Sequence, residues 1–123
     1  MKLNDLLKAR TIILNHKNEK MPSRLAYKFM KLLKASDNED AFYNEKIKAL
    51  IEEHCVKGED GRPKTVDGGI KIETAHIADY NKSVIELLDT EVEIPTIRFT
   101  LADIEMLSFD VEEMFFLDAF IEE

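Results

Sequence analysis

A three-four step of residues, Leu33, Ser36, Asp40, Tyr43, Ile47 and Leu50, continues unbroken through the polar stretch Ser36-Asp37-Asn38-Glu39-Asp40. Spacing of this kind keeps side chains on one helix face. The polar residues are poor helix formers, yet none is Gly or Pro, so nothing in the stretch stops a helix. The spacing predicts one long helix over residues 23–57, a large commitment for a chain of 123 residues. Upstream, Leu3, Leu6, Leu7, Ile13 and Leu14 follow the same rhythm and mark a first helix. The polar run His16–Lys20 ends it, and Pro22 suits the first turn of the next, where a missing N–H costs nothing. A link this short makes the two helices antiparallel neighbours. The first helix covers only part of the long one, so Tyr43, Ile47, Leu50 and Ile51 must find another partner.

Beyond residue 57 the punctuation changes. Gly58-Glu59-Asp60-Gly61 breaks the helix, and Asp67-Gly68 between short β-branched segments is a two-residue hairpin signal. Ile77, Tyr80, Val84, Leu87 and Leu88 give a third helix over about 74–88. Residues 91–100 read as a strand, with Pro95 favouring an edge or a bulge. Thr100 with Asp103, and Asp110 with Glu113, each look like a helix start capped three residues on, the second opening a helix from Met114 to Ile121. The expectation is one α+β domain over 1–123. Residues 1–57 would form the helical hairpin, and 58–123 an antiparallel sheet (62–73 with 91–100) plus C-terminal helices.

Charge narrows the function classes. The net charge is −8, but residues 1–36 hold nine bases against two acids, and residues 37–123 hold eight bases against 23 acids. Within the last 41 residues Arg98 is the only base among twelve acids. The negative total repels phosphate at long range and no aromatics are interleaved with the bases, which argues against direct nucleic-acid binding. The plainest reading of the asymmetry is that basic and acidic regions lie against each other. An acidic face imitating nucleic acid is the sharper alternative. Apolar residues make up 45%, enough for a core, and a chain of this length buries roughly two-thirds of its surface on folding. The single cysteine, Cys55, rules out an internal disulfide and any multi-cysteine zinc site. No run approaches the roughly 18 apolar residues of a membrane span, and MKLNDLLKAR has no signal-peptide core, so a cytoplasmic protein is expected.

Catalytic and metal chemistry find little purchase. His54 and Cys55 are adjacent, and helical neighbours point about 100° apart, so a small buried Cys beside a surface His is expected. His16 suits the C-terminal end of the first helix, where an imidazolium meets the dipole. His76 has no companion carboxylate at a ligand spacing. Glu52, Glu53 and His54 fan around a helix and cannot converge on one ion. Asp60-Gly61 and Asp67-Gly68 lack the order of a calcium loop. Glu112/Glu113 and Glu122/Glu123 read as dipole partners and a solvated terminus, not an acid-base pair. No phosphate loop, nucleophile elbow or zincin motif occurs. No catalytic residue, metal ligand or cofactor is assigned, and an enzyme is not expected.

Met114, Phe115, Phe116, Leu117, Phe120 and Ile121 form the densest apolar feature, more than one helix face can hold. Either that helix is buried on two sides or its outer side meets a partner. Phe115, Phe116 and Phe120 join Tyr43, Ile47, Leu50 and Ile51 as candidate interface residues, and a homo-oligomer is expected.

The chain also resembles a family of short phage and prophage proteins of Gram-positive bacteria, carried as a domain of unknown function. The resemblance rests on residues 20–28 (KMPSRLAYK), on Glu59-Asp60-Gly61 with residues 67–72 (DGGIKI), on residues 86–94 (ELLDTEVEI) and 101–105 (LADIE), and on the acidic last helix. It brings no assigned activity and no functional residues. What it implies is a phage origin and a product acting inside an infected or lysogenic bacterium; the expected partner is a host or phage protein. The expected function is non-catalytic binding through apolar helix faces. The alternatives are an anti-defence inhibitor with an acidic nucleic-acid mimic, and a small-ligand sponge at a subunit interface.

Overall fold

The computed structural model describes residues 1–122. It is an α+β chain: α1 (Leu3–Asn15), α2 (Ser23–His54), β1 (Thr65–Val66), β2 (Gly69–Ile70), α3 (Ile77–Leu88, entered through a 3-10 turn Thr74–His76), β3 (Phe99–Thr100), α4 (Leu101–Ile104), α5 (Val111–Leu117, leaving through a 3-10 turn Asp118–Phe120) and β4 (Ile121–Glu122). The long helix expected from the three-four step is continuous. It starts after Pro22, whose carbonyl accepts from the Leu25 and Ala26 N–H groups, and ends at His54 instead of residue 57.

Two compact units make up the chain, residues 1–39 with 91–123 and residues 40–90. The divisions fall at 39/40, within α2, and at 90/91, after α3. The reason is that the C-terminal segment returns to α1 and the first half of α2 to close a core there.

In the first unit that core joins Leu6, Ala9, Ile12 and Ile13 of α1, Leu25, Phe29 and Leu32 of α2, and Phe99, Ile104, Leu107, Leu117 and Phe120 from the C-terminal segment. Phe29 and Phe99 meet edge to face, centroids 5.2 Å apart. The polar interruption of the α2 stripe is accommodated by Ser36, which is buried and donates back to the Leu32 and Leu33 carbonyls. Arg10 Nη1 of α1 lies 2.7 Å from the Leu33 carbonyl, 3.0 Å from Ser36 Oγ and 2.7 Å from Asp37 Oδ1. Those bonds fix the register of the hairpin.

The strand expected over 91–100 is reduced to Phe99–Thr100. Pro95 has no N–H for a ladder, and Arg98 Nη1 ties up the Pro95 and Ile97 carbonyls at 2.6 and 2.8 Å. Strand β3 pairs with β4 in parallel, Phe99 opposite Ile121 and Thr100 opposite Glu122, so it does not join the hairpin sheet. The last helix also differs from the expected 114–121, starting at Val111 and giving way to extended chain at Ile121.

In the second unit β1 and β2 form the antiparallel hairpin, Thr65 opposite Ile70 and Val66 opposite Gly69. Asp67 and Gly68 turn it with φ of 51° and 80°, as a two-residue turn of this kind requires. Backbone bonds from Val56 N–H to Lys71 O (2.8 Å), Lys64 N–H to Val56 O (2.7 Å) and Glu73 N–H to His54 O (2.9 Å) lay the chain leaving α2 against the hairpin.

Candidate functional site

Residues 40–90 show the most unusual burial in the molecule. Tyr43, Ile47, Leu50 and Ile51 of α2 are each only half-buried, as are Tyr80, Val84, Leu87 and Leu88 of α3. Among the described residues of this unit only His54 and Cys55 are buried. Helix α3 has a continuous apolar stripe and no buried residue at all. Ile77, at the start of the stripe, is exposed, and Ile85 on its flank is 60% exposed. Phe42 lies exposed on the back of α2 with Lys46 Nζ 5.6 Å from its ring centre. Sequence periodicity does not single out Phe42, Ile70 or Ile85, because single apolar residues off the main stripe carry no periodic signal.

The expectation of a surface His54 is corrected here. His54 ends α2 buried, with its Nδ1 3.2 Å from Nδ1 of His76 and its ring edge-on to Tyr80. At that distance one imidazole nitrogen donates and the other accepts. His76 also has a carboxylate near it, Glu73 at 3.7 Å. Cys55 is buried as expected. No group of three or more metal-ligating side chains gathers among the described residues.

The C-terminal candidates separate in the first unit. Phe120 is a core residue with no exposed surface, 6.5 Å from the Phe99 ring, so its place among interface residues is withdrawn. It turns inward because the 3-10 turn after α5 shifts it off the helical face. Phe116 is half-buried against the core. Phe115 is 75% exposed and Val111 87% exposed, side by side on the outer face of α5. Beside them a hollow of about 560 Å³ is lined by Met114, Phe116 and Ala119 with the acids Asp5 and Asp118.

Two acids of the C-terminal segment are engaged inside this unit. Asp103 is buried, its carboxylate 2.7 Å from Arg24 Nη2 and 2.9 Å from Lys28 Nζ. It also completes a reciprocal cap with Thr100 at the start of α4. The Thr100 backbone N–H, then Lys28, hold its carboxyl far below the usual carboxylate range, Arg24 adds to this, and burial opposes it. His16 stands at the end of α1, as expected for a dipole partner, but its side chain is committed further. Its Nε2 is 2.6 Å from Glu113 Oε2, its Nδ1 contacts Glu19, and its ring lies 4.6 Å from that of Phe109. Burial lowers the imidazole pKa, and the Glu113 and Glu19 carboxylates outweigh it, so the net shift is upward. Glu113 also caps α5 together with Asp110, in the first turn of the helix as the sequence spacing predicts.

No helix among the described residues is long and apolar enough to cross a membrane. No protein-family model, no curated protein and no solved structure matches the chain.

Proposed function

We propose that this protein acts by binding, without a chemical step, and that the apolar faces of residues 40–90 are the surface it binds with. The observation that carries the reading is the half-open stripe of Tyr43, Ile47, Leu50 and Ile51 with the uncovered face of α3. Amphipathic helices stabilise a unit by burying their apolar side. A unit of this size that buries so little apolar surface lies near the lower limit of independent stability, and cover from another chain supplies what is missing. A second copy is the first partner in this reading. The resemblance to phage proteins points to a host or phage protein as the target, met inside the infected or lysogenic bacterium. Nucleic-acid mimicry draws less support, because Asp103 and Glu113 are spent on internal pairs.

Native mass spectrometry of the full chain tests this. The wild type is expected at a multiple of 14.2 kDa, and Ile47→Asp with Leu50→Asp is expected to lower that multiple by removing the contact through residues 40–90. A wild type that stays monomeric and captures no protein sinks the reading.

A further inference from the structure

The first unit carries a second pair of surfaces whose shapes and charges fit each other. Between α1 and α2 lies a pocket of about 370 Å³ with an apolar floor of Ile13, Met21, Phe29, Met30 and Leu33. Its rim carries Lys17 and Lys20, both exposed; the third charged rim residue, Glu19, is held by His16. A small apolar pocket with a few charged groups at its mouth is built for an apolar group flanked by negative charge. The same unit displays such a group on α5. Phe115 stands 75% exposed, with Glu112 three residues before it on α5 and Asp118 three residues after it at the start of the 3-10 turn, both of them exposed. Residues 99–122 contain no Lys or Arg, and Lys8 of α1 lines one hollow with Glu112 and the acids Asp110 and Glu113.

We propose that Phe115 of one copy seats in the α1–α2 pocket of a second copy, with Glu112 and Asp118 set against Lys17 and Lys20. The occupant is a second copy because the rim bases Lys17 and Lys20 and the exposed acids Glu112 and Asp118 are opposite charges carried by the same chain. Phe115 does not reach the pocket of its own chain, since it stands in solvent. An aromatic anchor entering an apolar pocket is the kind of contact that dominates binding energy, while rim charges set partner choice and salt dependence. The inference rests on self-association but uses a different face from residues 40–90. The contact is head to tail: one surface of each copy meets a different surface of the next.

Sedimentation velocity of full chains tests it, in the natural sequence and with Ile47→Asp and Leu50→Asp added, so that failure of the 40–90 face and failure of this contact are read separately. Glu112→Lys with Asp118→Lys, and Lys17→Glu with Lys20→Glu, are each expected to weaken association roughly tenfold or more through like-charge repulsion. An equal mixture of the two variants restores it, because each reversed surface then meets an opposite one. Phe115→Ser abolishes it, and Ala26→Trp, which fills the pocket mouth from an exposed position, does the same. The association weakens steeply toward roughly 1 M salt, where the Debye length is about 3 Å. All of these positions except the floor are exposed, and unchanged far-UV circular dichroism shows that the variants fold. The proposal is overturned if the mixture stays as dissociated as its parts, if Phe115→Ser associates like the wild type, or if the Ile47→Asp, Leu50→Asp chain is monomeric at every concentration.

Discussion

The unit formed by residues 1–39 with 91–123 and the unit formed by residues 40–90 are built from helices of the same kind. Both carry an apolar stripe at three-four spacing, and α2 contributes to each. In the first unit the stripe residues Leu25, Phe29 and Leu32 are buried among α1 and the C-terminal segment. In the second, the continuation of the same stripe through Tyr43, Ile47 and Leu50 stays half-open. The difference lies in what returns to cover the helix. The first unit recruits chain ends far apart in sequence, while the second has only a two-residue-strand hairpin and one helix to offer. Pattern specifies which face of a helix wants cover. It does not supply the cover.

That contrast can be broken first where it is strongest. Phe99→Ala, in the centre of the first core, is expected to cost about 3–5 kcal/mol in a denaturant melt at any protein concentration. Leu50→Ala should cost about 1 kcal/mol in dilute solution and more as concentration rises, because its remaining exposed area is covered only on association. A Leu50→Ala cost that is large and independent of concentration would mean that residues 40–90 stand by themselves.

Hydrogen exchange sharpens the same comparison inside one helix. Amides of Leu25–Leu33 should exchange more slowly than those of Tyr43–His54 in dilute protein, with the gap narrowing as protein concentration rises. Equal protection at all concentrations would remove the distinction.

Titration separates two locks in the first unit. The Asp103 carboxyl is lowered, so its contribution is complete above the ordinary carboxylate value of about 3.9 and is lost as pH falls below it toward the depressed folded value. The His16 imidazole is raised, so its contribution is complete below about 6.5 and is lost as pH rises through the higher folded value. Thermal melts of Asp103→Asn should lose the acid dependence, and those of His16→Gln the loss of stability on the alkaline side. The smallest effect belongs to the hairpin: Gly68→Ala, at φ of 80°, should cost about 1 kcal/mol, seen as a modest drop in Tm.

Much of the candidate surface is legible in the amino-acid sequence. The residues Tyr43, Ile47, Leu50 and Ile51 are marked by a helix too long for its neighbour, and they are the ones left half-covered. The C-terminal aromatics are legible only as a surplus. Periodicity says that Phe115, Phe116 and Phe120 cannot all be buried on one regular helix, but not that a 3-10 turn sends Phe120 inward and leaves Phe115 outside. His54 gives no signal of burial, because its partner His76 is 22 residues away across a hairpin.

By itself the sequence determined what is local: helix spacing, the Asp67-Gly68 turn, the two reciprocal caps, and the opposite charge of the two ends. Each follows from contacts within a few residues, where backbone sterics and side-chain reach leave few choices. Only the tertiary structure decided the parallel pairing of β3 with β4, the burial of Asp103 between Arg24 and Lys28, and the division of the chain within α2. Those depend on which distant segments meet, and many pairings satisfy the same local pattern until one core excludes the rest.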